Sequence, residues 1–502
     1  MPSTAASLIF EQSLVARSGF LDQLLGRSEA DSGRVRRRRG PYTKVARRGE
    51  AQGVGQAKWR IPIPENVWEE LRRPERYDES SWAGKRFQSY HGVPVKIFDE
   101  LVAEARQHDT LAGKEALGDG RKGPFSKPLE LKVAAVLEMC QAGLPFKSAE
   151  RLYKISSPVL EQFFHDFTRL QVEFEYPKHV YIPESRADID RILSRHAALG
   201  FPGAISMWDG TKWEWGACPH AWAYAHIGKE GYPTKTFMVA GDMNSIIHNI
   251  HGSEIGARND MTISRFDDYL QSIVRGRRFA NEVFDLYKGD GSGEKTRHRG
   301  LWGIFDNGFH HWRICQCPSK VASEEFLKRW SKRLESVRKP GTECIYGRLK
   351  KRFRILQLPC TFTQTHKVDN CFRFLASLHN RLQRHYGLDS IGGEPGDWKS
   401  ASTNLDDLRI ENENNRIRIG STHFVRNGGL DHLVDDEAVG NDTTPEYDAS
   451  WSSFRLALVN HFKEAWQKEE LLWPLTAAEC RPNYRLNPAI RRTGREIDEA
   501  DE

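Results

Sequence analysis

Between residues 126 and 172 the apolar positions recur at helical spacing. Pro128 opens a strip of Leu129, Leu131, Val133, Val136, Leu137 and Cys140, and Gly143 stops it. A short second helix is expected over 148–153. Ser156, Ser157 and Pro158 then supply hydroxyl caps and a first-turn proline for a third helix. That helix carries Val159, Leu160, Phe163, Phe164, Phe167 and Leu170 on one side. From about residue 203 short apolar runs replace the helical period. They predict strands over 204–208, ending at Asp209, over 234–240, over 245–251, and over 301–305, ending at Asp306. A helix over 264–274 and a Gly-rich insertion or hairpin over 287–300 separate the third strand from the fourth. Helices are expected over 323–338, 342–352 and 368–386, the last with Val368, Cys371, Phe372, Leu375, Leu378 and Leu382 as its stripe, and over 450–468. Strands interrupted by one helix and followed by several give an α/β fold, a mixed sheet flanked by helices.

This pattern divides the 502 residues into more than one unit. Residues 1–57 are rich in Gly, Arg, Ser and Ala without period, and read as a disordered basic arm. Residues 58–125 mix Trp, Pro and charge and form a mixed lead-in. The helical module of 126–172 has a tight turn before its last helix, as helix-turn-helix units do. Its outer face of Glu161, Gln162, His165, Asp166 and Arg169 would bring two carboxylates to phosphate, so a brace for the neighbouring domain is an equal reading. The strand-bearing core spans 200–386. A linker follows over 387–449, acidic in its second half, and then a C-terminal helix and acidic tail over 450–502.

Charge changes the picture more than composition does. The net charge is only +6, yet residues 34–48 hold eight basic side chains and no acid, and residues 313–354 hold thirteen bases against four acids. Residues 427–448 hold seven acids and no Lys or Arg. Such segregation points to a polyanion, with phosphate the obvious candidate. The clusters Arg36, Arg37, Arg38, Arg39 and Arg348, Lys350, Lys351, Arg352 are the expected phosphate-backbone contacts, and Arg36 to Arg39 with Lys44 to Arg48 resemble a nuclear-import signal. Eight cysteines without a CxxC pair argue against a disulfide scaffold or a structural zinc, and Cys315 and Cys317 read as loop or strand residues. No apolar run reaches the roughly 20 residues of a membrane span, and the N-terminal stretch lacks a basic n-region. A reduced, intracellular setting without membrane contact is expected.

Asp209 and Asp306 follow two separate apolar strands, where open sheets place their ligands. Glu343 starts a short basic helix, ECIYGRLKKRF. Three convergent carboxylates are hard oxygen ligands suited to magnesium or manganese. Two such ions about 3.5–4 Å apart can drive phosphodiester displacement. Acids at strand ends are common, so the trio alone is a weak signal.

The stretch 200–234 adds a resemblance. It carries Gly200 to Gly203, Asp209, Trp213, Trp215, Cys218, Pro219, Ala221, Trp222, Gly228, Lys229 and Thr234. Asp242, Gly252, Gly256, Asn259 and Asp260 follow, then Asp306 to Phe309, Glu343, Tyr346 to Leu349, Arg352 to Arg354, and Leu378 to Asn380. In this order the pattern resembles the Harbinger superfamily of DNA transposases and their nuclease-like relatives, in particular the plant-transposon-protein branch, over about 126–386. The resemblance implies an RNase H-like fold and a nuclear, transposase-type endonuclease. Asp209, Asp306 and Glu343 would be both the catalytic and the metal-holding residues, with two Mg2+ (or Mn2+) ions. Water attacks first and a 3′-hydroxyl later takes its place. Expected partners are double-stranded DNA (transposon ends and target), a separately encoded Myb-like DNA-binding protein and further copies of the chain.

This chain departs from the family pattern at Phe309-His310, where Tyr-Pro is usual, at Cys344 for an Arg, and at Met238 for an acid. The competing class is a domesticated, non-catalytic DNA-binding or scaffold protein of the same fold; a third is an ordinary repair or RNA nuclease. Asp242 and Asp260 rank behind the trio as acids. His310 and His311 read as exposed loop residues, and His248, His251 and His379 as core or hydrogen-bonding residues. Trp213, Trp215 and Trp222 read as packing over the sheet before stacking on bases.

Overall fold

The computed structural model describes residues 65–112, 127–319, 324–390, 395–400 and 441–473. The arm of 1–57 with Arg36 to Arg39, the acidic stretch before 441 and the tail after 473 lie outside the described residues. Within them, residues expected as a mixed lead-in form helices: α1 (Glu65–Arg72), α2 (Trp82–His91) and α3 (Val95–Arg106). Local capping makes α2. The Ser81 hydroxyl accepts from the Gly84 amide at 3.0 Å, and Gly92 ends the helix at φ 70°. After a single helical turn at Asp109–Ala112 come α4 (Leu129–Ala142), α5 (Phe146–Tyr153) and α6 (Ser157–Leu170), close to the spans that periodicity predicts.

After α7 (Arg186–Ala198), which no sequence expectation covers, β1 (Ala204–Glu214) starts the sheet. Then come α8 (His220–His226), β2 (Thr234–Gly241) and β3 (Ile247–Ile255). The helix expected over 264–274 is two, α9 (Asp260–Ser264) and α10 (Asp268–Val274). The Asp267 carboxylate caps the second by accepting from the Leu270 amide at 3.1 Å. The Gly-rich insertion is a hairpin of β4 (Val283–Tyr287) and β5 (Lys295–Arg299). β6 (Trp302–Ile304) and β7 (Cys315–Gln316), which Cys315 opens, complete the strands of the main sheet, and Lys399–Ser400 pairs separately with Leu472–Trp473. Four helices close the order: α11 (Glu325–Gly341), α12 (Glu343–Arg352), α13 (Thr365–His385) and α14 (Trp451–Gln467). None of the described helices is long and apolar enough to cross a membrane.

Five strands form one sheet in the order β3-β2-β1-β6-β7. β1 pairs antiparallel with β2, as β2 does with β3, while β6 runs parallel to both β1 and β7. Period-two alternation splits β2 between two cores. Phe237 and Val239 join the core built by α3, α4, α6 and α13, while Met238 and Ala240 join the core of α7, α10, α11 and α14. The sheet is thus covered on both faces by helices. Phe372 of α13 stacks on Phe237 with ring centres 3.9 Å apart, and the α6 ring Phe167 meets Phe374 of α13 edge-on at 5.4 Å. With Phe163, Phe164 and Phe167 all buried, α6 works as a brace on α13.

The turn between α11 and α12 is pressed onto the ends of β1 and β2. A Cβ on Gly341 would stand 2.5 Å from Met207 Sδ and 2.8 Å from the Asp242 carbonyl oxygen. Gly341→Ala should therefore cost about 1–3 kcal/mol in urea unfolding, as overpacking does. An unchanged midpoint would mean that this turn yields freely.

Candidate active site

Parallel pairing places the first two acids. Met207 of β1 lies opposite Ile304 of β6, so Asp209 and Asp306 each sit two residues beyond the same register line. Asp209 is not at the end of its strand, because β1 continues to Glu214. It lies where the parallel partner stops: β6 ends at Ile304, while β2 goes on pairing, Val239 opposite Asp209. Asp306 reaches that end of the sheet from the loop after β6. The Asp306 Oδ1 accepts from the Gly308 amide at 2.7 Å, and the Asp209 Oδ1 accepts from the Gly210 amide at 2.9 Å.

Glu343 arrives from the first turn of α12 and is tied to Asp209 through Arg338. One guanidinium nitrogen donates to Asp209 Oδ2 at 3.1 Å and another to Glu343 Oε1 at 2.9 Å. The Tyr346 hydroxyl donates to the Asp209 carbonyl at 2.6 Å, fixing α12 against β1. All three acids of the trio therefore belong to one locality. The Arg338 side chain is 9% exposed, Asp209 17% and Glu343 44%, so the glutamate is at the open edge. Burial pushes the Asp209 carboxyl up to about 6. Arg338 pulls it down, while Asp306 and Glu343 raise it further. One arginine does not neutralise the group.

Sequence reasoning ranks Asp260 behind the trio because it falls in a turn, and gives Arg338 no role. Asp260 is the first residue of α9, which Asn259 caps by accepting from the Thr262 amide. Its carboxyl is pushed up to about 7, by burial first and then by Asp209 and Asp306. The available signal is the Asn-Asp pair itself, a cap followed by an acid in a helix's first turn. Arg338 carries no signal beyond its place in a basic run.

A segment of the expected acidic linker clamps the loops around these acids. The Asn441 side-chain oxygen accepts from the Asn259 amide at 2.9 Å, and the Thr262 hydroxyl accepts from the Asp442 amide at 2.7 Å. The Glu446 amide donates to His310 Nδ1 at 2.9 Å, and Trp312 Nε1 donates to the Glu446 carboxylate at 2.9 Å. Arg265 pairs with both Asp442 (3.0 Å) and Glu446 (2.7 Å). His310 is thus buried, not exposed as expected, because Asn441 to Asp448 cover it; His311 is half-buried against Tyr447 and Trp451. Phe309 is buried, Cys344 is exposed, and Met238 pairs with Gly210, next to Asp209.

The basic approach is only partly available. Lys351 is exposed, and Arg348 and Lys350 are half-buried, but Arg352 turns inward. Its guanidinium meets His379 Nδ1 at 3.1 Å and donates to Gln383 Oε1 at 3.0 Å, and burial lowers its pKa to about 10. Arg352 is bonded to α13 through these two contacts. Trp213 and Trp215 are buried as expected, whereas Trp222 is 44% exposed, as are its neighbours Tyr224 (53%) and Tyr232 (42%).

Other constellations are structural. Ser206 is hydrogen-bonded to His248, whose other ring nitrogen lies 3.5 Å from Asp242, but all three are buried in the core, and backbone amides of Asn244 and Ile246 hold the Asp242 carboxylate. Among the described residues one group of three has its ligand atoms mutually within 4.8 Å: Glu104, Glu175 and His179. Arg381 at 3.0 Å from Glu104 and Lys178 at 2.8 Å from Glu175 already balance it. The trio's own oxygens are more widely spaced than that, with Arg338 between two of them.

No curated protein and no solved structure matches the chain. Residues 179–385, the stretch that carries Asp209, Asp260, Asp306, Arg338 and Glu343, match the model of the family described as plant transposon protein, which supports a transposon-related family for this chain.

Proposed function

We propose that the chain is a transposase-type nuclease of the Harbinger kind, which cuts double-stranded DNA at transposon ends and joins it to target DNA in the nucleus. The observation that carries this reading is the meeting of Asp209, Asp306 and Glu343 at one end of the sheet, two of them bridged by Arg338. The strand order, three antiparallel strands followed by two parallel ones on the far side of β1, supports an RNase H-like core. Carboxylates packed together with too little positive charge fit a divalent cation, and hard oxygen donors select magnesium or manganese. When bound, two such ions would supply charge stabilisation at the attacking and leaving oxygens.

The chain's own residues divide the remaining work. Asp209 and Asp306 hold fixed positions on the rigid sheet end, the first through its Gly210 and Arg338 hydrogen bonds and the second through Gly308. Glu343 closes the site from the solvent side. Arg338 supplies a permanent cation beside the scissile phosphate position. Lys351, with Arg348 and Lys350, lines the approach for the DNA backbone. A Myb-like protein would supply end recognition, and a second copy of the chain would act at the other transposon end.

The test is cleavage of DNA bearing the repeats that flank the gene, with and without Mg2+. No metal-dependent cut by the wild-type protein on that substrate would overturn the reading. Neutralising Arg348, Lys350 and Lys351 together should weaken binding to every DNA sequence alike and lower the salt slope by about 0.9 for each phosphate left without its cation. A slope equal to the wild-type value would put the phosphate path elsewhere.

A further inference from the structure

We propose that His310 is a positioning residue for Asp306, clasped by the segment 441–448 so that the loop after β6 stands at a fixed distance from α9. This rests on the nuclease reading above and adds to it a residue that acts through Asp306 without touching the DNA. Asp306 needs such support. Asp209 lies within β1 with β2 paired beside it, whereas Asp306 lies off the sheet, two residues past the end of β6. The hydrogen bond of its carboxylate is to the Gly308 amide of its own loop, so the carboxylate goes wherever that loop goes. Its surroundings push it away, because Asp306 repels the carboxylates of both Asp209 and Asp260.

Two anchors hold the loop against that repulsion. Phe309 is buried, its ring centre 4.8 Å from that of Phe305. His310, 1% exposed, is gripped at both ring nitrogens by the segment 441–448. Nδ1 accepts from the Glu446 amide at 2.9 Å, which puts the ring proton on Nε2, 3.2 Å from Asp442 Oδ2. The ring also stacks on Trp312, with centres 4.6 Å apart. The segment itself is fixed at both ends. Asn441 and Asp442 bond to Asn259 and Thr262 at the start of α9, and Trp451 Nε1 of α14 donates to the Cys315 carbonyl at 2.8 Å. Between these ends the His311 amide donates to the Glu446 carbonyl at 2.8 Å, and the Asp448 amide donates to the His311 carbonyl at 2.9 Å. One imidazole therefore joins the Asp306 loop to the segment that holds α9. Bonded at both nitrogens, it sets a distance; an apolar side chain of the same bulk would fill the space without setting one.

The experiment combines steady-state cleavage of DNA bearing the flanking repeats in Mg2+ with hydrogen–deuterium exchange of the metal-free full chain. His310→Leu keeps bulk and loses both hydrogen bonds. It should lower kcat about a hundredfold with KM for DNA within about twofold of wild type, since a displacement of about an ångström at reacting groups is worth that much. Amides over 306–312 should exchange about tenfold faster or more, as the loop opens locally. His310→Asn, whose side-chain oxygen can accept from the Glu446 amide in place of Nδ1, should recover about tenfold of the lost kcat and part of the protection. That rescue separates positioning from packing. A kcat within about threefold of wild type in His310→Leu, or equal losses in the Leu and Asn variants, would overturn the assignment and leave the nuclease reading standing. A wild-type chain that cuts no DNA would overturn both.

Discussion

Asp209→Asn, Asp306→Asn and Glu343→Gln should each reduce Mg2+-dependent DNA cleavage by about a thousandfold or more, while retention of DNA on a gel stays near the wild-type value. The size follows from what is removed. Each change leaves shape intact and takes one negative charge from a site whose task is to hold cations at the reacting phosphate, and such electrostatic groups are worth about 10²–10³ in rate even singly. DNA retention depends on basic side chains, none of which is touched. For Asp209 the structure adds a separate expectation. Burial raises its pKa to about 6 from 3.8, so its charge opposes folding at neutral pH, by an amount of order 1–3 kcal/mol. Asp209→Asn should then unfold no more easily than wild type when metal is absent. Loss of cleavage together with retained or improved stability marks a residue kept for function, since such sites are held at the expense of stability. Cleavage within tenfold of wild type in any variant would remove that residue from the site.

How much of this can be read from sequence depends on how local the cause is. The strands at 204, 234 and 301 and the helices of 129–170 and 365–385 declare themselves through apolar runs or periodicity, signals contained within each element. The partnership of Asp209 and Asp306 is legible because both follow apolar runs, yet that reason is incomplete. Asp209 is left open on one side by the early end of its parallel neighbour, a pairing that no local pattern encodes. The helices before residue 112 are hidden because Trp68, Trp82 and several prolines obscure the period, and tertiary packing with α4 stabilises them. His310 looks like an exposed loop residue because its cover comes from Asp442 and Glu446, more than a hundred residues away. Arg352 belongs to a basic run and is nonetheless spent on His379 and Gln383. Asp260 is visible as a helix-start acid and invisible as a neighbour of Asp306. In each miss the deciding partner is distant in sequence.

The largest stability effect expected is acid unfolding centred near pH 5. Burial lowers the pKa of His91, His165, His179, His226 and His461 to about 4 from 6.5. Above pH 6.5 these rings are neutral in both folded and unfolded chains and contribute no pH dependence. As pH falls from 6.5 toward 4 the unfolded chain takes up protons that the folded one refuses, so stability drops throughout that window. A full shift of this size is worth roughly 3 kcal/mol per histidine, and the five together set a ceiling near 15 kcal/mol. Acids whose pKa burial raises act in the opposite sense, Glu138, Glu214 and Asp267 in direction and two others by a large shift. Asp209 and Asp260, with pKa values near 6 and 7, take up protons in the folded state first and recover stability as pH falls toward 4. Their combined ceiling is about 7 kcal/mol, roughly half the histidine total, so the histidines win. The net loss is comparable with the 5–15 kcal/mol that holds a typical domain together. Tryptophan fluorescence and circular dichroism followed from pH 8 to pH 4 in metal-free buffer should show one cooperative loss of structure. His91→Phe, which fills the same stacked site beside Phe87 and Phe98 without a titrating nitrogen, should move the midpoint to lower pH. Native signals that persist to pH 4 would mean that these rings reach water, or partners for their protons, without unfolding.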